Sequence, residues 1–313
     1  MSFRHFHFAF STLEYQSLNG ISASLCTSQY SLSFWIEIIL IPQIYDKLFI
    51  STAAPTADEK KEVPHLLFNF LDPKSEFSIY DYQKLVRSKI EEQYQNNKLP
   101  FIVGGSGLYI NSVVYDYQFS DNKRSDEFKD KYNHLSNEQL HELLKDKDIE
   151  AYNKIHPNNR KRVERALELV ELNQDINDKN EKVKYYDALI IFLNMDRELL
   201  YTRINNRVDK MVEEGLLEEF ENVYPDELGI QASRAIGIQE LIEYKLGNNT
   251  LEEAINLIKQ HSRNYAKRQI TWFKHKSDCV MIDKNENKIY NIIHLIEDFL
   301  NNWFSIVFYK KMC

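Results

Sequence analysis

Between Asp81 and Asn96, apolar residues recur at Leu85, Val86, Ile90 and Tyr94, the spacing of one face of an α-helix. After the polar break Asn96-Asn97-Lys98 the pattern becomes a continuous apolar run, Phe101-Ile102-Val103, which predicts a buried strand. That run ends in Gly104-Gly105-Ser106-Gly107, and Leu108, Tyr109, Ser112 and Val113 then predict a second helix. Tyr186 to Leu193 is another apolar run and predicts another strand. From Arg197 to about His275 the period is helical, punctuated at Gly215, Pro225, Gly229 and Gly247. Near the start, Ser31 to Ile41 (SLSFWIEIILI) is strongly apolar; it is far short of the ~20 residues of a spanning helix and is interrupted by Glu37, so it predicts a buried strand. Helix, strand, glycine turn and helix in succession predict an α/β fold with a parallel sheet.

One stretch departs from this pattern. Residues 121–182 are highly charged, lack glycine and carry helical repeats, which predicts a helical insertion standing out from the sheet. The expected organisation is therefore a segment 1–42, an α/β core of residues 43–120 and 183–300 with C-terminal helices, and the insertion 121–182. Composition adds little to this. Hydrophobic residues at 43% and charged residues at 27% are ordinary for a chain that buries a core. A net charge of −8 excludes a protein coated in positive charge but allows a local basic groove. Cys26, Cys279 and Cys313 lie far apart without metal-ligand spacing, as expected of reduced thiols in a cytoplasmic protein.

The glycine turn raises the first chemical question. A phosphate loop of the form GxxxxGK followed by Ser or Thr surrounds phosphates with backbone N–H groups and neutralises them with lysine. None of the eight glycines opens that pattern, and Gly104–Gly107 runs into Leu108 and Tyr109, so a tight strand-to-helix turn is the plain reading. Two basic runs stand out. His156 to Arg165 (HPNNRKRVER) has one acid, Glu164, and Lys259 to Lys276 has none but interleaves Tyr265, Trp272 and Phe273. Cations with aromatic neighbours suit phosphates and unpaired bases; the alternative is a solvated helix face with Trp272 in the core. Arg203 and Arg207, four apart, share one helix face and could converge on a pyrophosphate, or pair within the helix.

Longer motifs fall in a fixed order: QIYDKL (43–48), APTADEKKEVPH (54–65), FSIYDYQKL (77–85), IVGGSGLYI (102–110), HPNNRKRVERALEL (156–169), RINNRVDKMVEEGLLEE (203–219), ASRAIGIQEL (232–241) and AKRQITWFKH (266–275). In these the chain resembles the tRNA dimethylallyltransferases, also called tRNA isopentenyltransferases. The resemblance implies a P-loop kinase-like core with a parallel sheet and a helical insertion that grips the anticodon stem-loop. It implies transfer of a dimethylallyl group from dimethylallyl diphosphate to N6 of the adenosine 3′ of the anticodon, with Mg²⁺ assisting departure of the diphosphate. The base must leave its stack to react. A monomer without membrane attachment is expected.

By the same resemblance Ser106 replaces the threonine of GGTGLY, near the target adenosine and the reacting diphosphate, and Gln43 contacts the target base. Arg207, with Arg203 as the alternative, stabilises the diphosphate. The tRNA contacts are Lys129, Lys161, Arg162, Arg165, Arg234, Lys267, Arg268, Gln269 and Trp272. The departure lies in residues 1–42, where the P-loop segment is divergent or missing and Leu40 aligns with the general-base aspartate. Divergence confined there, with later motifs intact, is what a shifted reading frame leaves. The alternative is an inactive tRNA-binding relative without a donor site. An apolar N-terminus in place of a central strand and helix is also expected to leave a sheet edge unpaired.

Overall fold

The computed structural model describes residues 6–11, 34–38, 41–56, 58, 65–96, 98–119, 131–172, 183–283 and 290–300. Among them, six strands form one sheet: β1 (Phe6–Ser11), β2 (Phe34–Ile38), β3 (His65–Leu66), β4 (Leu99–Val103), β5 (Asp187–Asn194) and β6 (Cys279–Asp283). Their order is β3-β2-β4-β1-β5-β6 and every pairing is parallel. β5 is buried from Ile190 through Leu193, the near-continuous apolar run of a strand covered on both faces.

The expected strand at 31–41 is β2, and the expectation of an unpaired edge is overturned. The N-terminal segment supplies two inner strands: β1 lies between β4 and β5, and β2 between β3 and β4. Ladder hydrogen bonds come from the backbone, so a divergent sequence fills these places as well as any other extended segment. Residues 12–33, where a phosphate loop would follow β1, lie outside the described residues.

The helices follow the apolar spacing closely. Helix α1 (Ile79–Gln95) starts at a capping box in which the Ser78 side chain accepts from the Asp81 N–H while Asp81 reaches back to the Ser78 N–H. Helix α2 (Gly107–Val114) follows the glycine turn. The C-terminal part holds α6 (Arg197–Glu213), α7 (Leu216–Val223), α8 (Ile238–Lys245) and α9 (Leu251–Lys276). Gly215, with φ 101°, makes the left-handed turn between α6 and α7. These helices bury Val208, Met211, Leu216, Phe220, Val223, Ile238, Leu241 and Ile258 around Ile44, Tyr45 and Leu48, which docks the segment after β2 onto them.

The chain divides into two units, residues 1–115 with 184–313, and residues 116–183. The smaller unit contains α3 (Asn137–Lys147), α4 (Ile149–Lys154) and α5 (Arg160–Glu171) around its own core of Tyr132, Leu140, Leu144, Ala151, Val163, Ala166 and Leu167. Among the described residues no helix is long and apolar enough to cross a membrane.

Candidate functional site at the carboxyl edge of the sheet

In an open parallel sheet, ligands bind beyond the carboxyl ends of the strands, where successive connections leave in opposite directions. Here β1 and β4 are neighbours; the strand after β1 lies beyond β4, and the strand after β4 lies beyond β1. Their carboxyl ends are in register, Phe10 opposite Val103, and Ile38 of β2 also pairs with Val103. The chain therefore reaches Gln43 and the Gly104–Gly107 turn from the same sheet edge.

Helix α9 comes close to Gly105 and Gly107 of the turn. A Cβ on Gly105 would stand 2.0 Å from Gln269 Nε2, and one on Gly107 would stand 2.0 Å from Trp272 Cδ1. Gln269 and Trp272, expected as tRNA contacts, are thus packed onto the turn: Gln269 is buried and Trp272 half-buried, its indole N–H without a partner. Lys267 and Arg268 on the same helix face solvent. Arg268 lies 5.6 Å from the Tyr265 ring and Lys267 lies 5.7 Å from the Tyr201 ring.

Ser106 is the N-cap of α2, yet its side chain makes no capping bond. Among the described residues its hydroxyl has no partner, and its carbonyl accepts from the N–H groups of Tyr109 and Ile110. The positive end of α2, with the N–H groups of Gly107 and Leu108, lies at this turn. The other end is fastened. Arg87 donates to the carbonyls of Ser112, Val113 and Tyr115 while its guanidinium lies 3.6 Å from the Tyr185 ring centre, and Gln83 also donates to Ser112. Asn111 donates to the Lys276 carbonyl at 2.9 Å, joining α2 to the end of α9.

Gln43 is 6% exposed; its Nε2 donates to the Ala53 carbonyl at 2.8 Å, and its Oε1 is buried without a partner. Nearby tyrosines remain neutral. Burial, then Tyr109 and Glu76, push the Tyr45 hydroxyl up to about 12, and burial, then Tyr265, push Tyr109 up to about 12. The Tyr82 and Tyr109 rings meet edge to face at 4.9 Å. The Tyr45 and Tyr109 hydroxyls can donate hydrogen bonds at neutral pH but cannot serve as bases.

Helix α6 begins just beyond the carboxyl end of β5, with Asp196 capping the Glu198 and Leu199 N–H groups. Leu200, Ile204 and Val208 bury one face, leaving Arg203 and Arg207 together on an accessible one. Arg207 keeps exposed surface, yet the surrounding protein desolvates its guanidinium and lowers its pKa, and no acid pairs with it among the described residues. A cation with no acid beside it suits a polyanion. Other basic residues nearby are committed: Lys259 pairs with Asp209 at 2.5 Å and Arg263 donates to Asn205 at 2.6 Å, tying α9 to α6. Arg234 is exposed at the end of the 3₁₀ turn Ala232–Arg234.

In the insertion, Lys161 and Arg162 are exposed on α5. Arg165 instead pairs at 2.6 Å with Glu168, a buried carboxylate, and Arg160 pairs with Glu164 at 2.8 Å. Lys129 lies outside the described residues.

Among the described residues no group of three or more His, Cys, Asp or Glu side chains could hold a metal ion; residues 12–33 and Leu40 lie outside the described residues. An open cleft of about 590 Å³ between Lys47, Phe49, Ile50 and α7 is lined by Glu214, Glu218 and Glu219, the wrong charge for a diphosphate.

Residues 43–276 match the sequence pattern of the family described as IPP transferase. A Bacillus cytotoxicus protein named tRNA dimethylallyltransferase is 43% identical over 265 residues, 82% of this chain and 84% of that protein. The full-length tRNA isopentenylpyrophosphate transferase of Bacillus halodurans is 34% identical, with a TM-score of 0.72 over 97% of this chain and 99% of its own. A eukaryotic dimethylallyltransferase acting on tRNA is similar in fold, with a TM-score of 0.78 at 22% identity over 96% of this chain and 80% of its own. With the family pattern running unbroken through the glycine turn, the insertion, both arginines of α6 and the basic end of α9, this chain belongs to the IPP transferase family.

Proposed function

We propose that the chain transfers a dimethylallyl group from dimethylallyl diphosphate to N6 of the adenosine 3′ of a tRNA anticodon, as a cytoplasmic monomer. The observation that carries this reading is 43% identity to a tRNA dimethylallyltransferase across most of both chains. On this reading the core is P-loop kinase-like, its sheet built around β1. The C1–O bond of the donor breaks and its electron pair leaves with the diphosphate. The N6 lone pair forms the new N–C bond, and N6 releases one proton to the departing diphosphate or to water. Charge grows on the leaving group, so fixed positive charge and N–H dipoles aimed there lower the barrier. Arg207, with Arg203 one turn before it, and the amino end of α2 beside Ser106 are the groups available. Gln43 presents a buried carbonyl oxygen to the 6-amino group. Lys161, Arg162, Arg234, Lys267 and Arg268 are accessible cations for the RNA backbone.

The sequence carries no GxxxxGK motif to hold the diphosphate; Mg²⁺, when bound, would neutralise charge on the departing diphosphate. The deciding experiment incubates the chain with an unmodified anticodon stem-loop, dimethylallyl diphosphate and Mg²⁺, and looks for N6-dimethylallyladenosine by mass spectrometry. Product supports the proposal. Salt-sensitive stem-loop binding without product identifies an inactive tRNA-binding relative instead, and recovery on restoring a lysine-bearing loop and an aspartate at Leu40 locates the loss in residues 1–42.

A further inference from the structure

Glu219, on α7, does something its sequence context does not announce. Its carboxylate accepts from three successive backbone N–H groups, Phe49 and Ile50 at 2.6 Å and Ser51 at 2.8 Å, and from the Ser51 hydroxyl at 2.7 Å. Convergent N–H groups of this kind form an anion site, here filled by the protein's own side chain. The loop it holds contains two non-glycine residues in left-handed conformation, Lys47 at φ 63° and Ala53 at φ 51°, which persist only where surrounding contacts impose them.

The far side of the same loop holds Gln43. The Ala53 N–H bonds to the Ile50 carbonyl at 3.0 Å and the Ala54 N–H to the Phe49 carbonyl at 2.9 Å, so the residues bound by Glu219 and the residue bound by Gln43 form one unit. Because Gln43 Nε2 donates to Ala53, its amide cannot turn over without setting two carbonyl oxygens against each other. Its Oε1 is therefore held as an acceptor, complementary to a 6-amino purine and repulsive to a 6-oxo purine.

We propose that Glu219 is a positioning residue that fixes the Ala53 carbonyl, and through it the acceptor orientation of Gln43, and so sets the preference for a 6-amino base. This rests on the reading above in which Gln43 faces the target adenine. The test measures stem-loop binding by the full chain with adenosine, purine ribonucleoside (no 6-substituent) or inosine (6-oxo) at the target position. The unsubstituted chain is expected to prefer adenosine over purine by roughly 5- to 10-fold, the worth of one buried hydrogen bond. In Glu219→Gln the preference should fall below about twofold while affinity for the purine stem-loop stays unchanged; a merely structural role would weaken both stem-loops equally. No preference in the unsubstituted chain overturns the placement of Gln43 against the base. Preference in the unsubstituted chain and full preference in Glu219→Gln overturn the role of Glu219. If Glu219→Gln does not fold, Glu219→Asp, too short to reach all three N–H groups, should lose at least half of the preference, and retaining it overturns the proposal.

Discussion

Gly107→Ala tests the packing that defines the site. The new methyl would stand 2.0 Å from Trp272 Cδ1, 2.4 Å from Nε1 and 2.7 Å from Cγ. Carbon atoms in contact prefer about 3.5–4.0 Å, so the overlap is about 1.5 Å against a rigid ring with two torsions. Overpacking of this kind costs about 1–3 kcal/mol. Against it stands the helix propensity of alanine over glycine, up to about 1 kcal/mol within a helix and less at the first position of α2. The difference leaves a net loss of about 1–2 kcal/mol, or about 3–6 °C in Tm for a domain of this size. The assay is urea unfolding of Gly107→Ala, Trp272→Ala and the pair, with m-values checked for a common transition. Since Trp272→Ala removes the obstacle, alanine at 107 should be neutral or stabilising in that background, with a coupling energy above about 1 kcal/mol. Equal destabilisation by Gly107→Ala in both backgrounds would refute the claim that the glycine exists to admit the indole.

Arg207→Ala should lower kcat by about 10²–10³, the effect of removing one preorganised group at a developing charge, with little change in stem-loop KM; equal losses in Arg203→Ala and Arg207→Ala would show that the two share the role. Within the insertion, Arg162→Ala should reduce the slope of log Kd against log salt by about 1 without changing unfolding, whereas Arg165→Ala should destabilise the unit by removing the ion pair to the buried Glu168 carboxylate. The pH response of that unit follows from Glu171. Burial raises its pKa, but hydrogen bonds from Lys131, Tyr132 and Lys147 outweigh burial and bring it from 4.5 down to about 2. A pKa depressed on folding contributes stability that is present above about 4.5 and lost as pH falls toward about 2, so Glu171→Gln should flatten acid unfolding in that window when followed by circular dichroism.

The order and kind of most elements could be read from apolar spacing because each rests on local signals: alternate burial along α6, the run Ile190–Leu193, the capping box at Ser78. What could not be read comes from contacts between distant segments. β1 is a strand through pairing with residues 101–103 and 187–192, roughly a hundred and two hundred positions away, and no property of FHFAFS specifies those partners. The glycine turn is the instructive case. Its residues alone suggest a phosphate cradle, and the absence of lysine alone suggests an ordinary turn; the actual determinant of Gly105 and Gly107 is a helix more than 160 residues downstream whose Gln269 and Trp272 occupy the space of their missing side chains. Charge counting fails for the same reason. The run 259–276 has no acid in sequence, yet Asp209 and Asn205 on α6 take up Lys259 and Arg263. The run 156–165 shows one acid, yet Glu168 takes up Arg165. Setting these cations aside, Lys161, Arg162, Arg234, Lys267 and Arg268 are exposed, and Arg207 is exposed with no acid pairing with it among the described residues. On the proposed reading, position divides that set into two roles: the cations of α5, the 3₁₀ turn and the end of α9 suit the salt-dependent backbone of a nucleic acid, and Arg207 on α6, beyond the carboxyl end of β5, suits a charge that develops only as the leaving group departs.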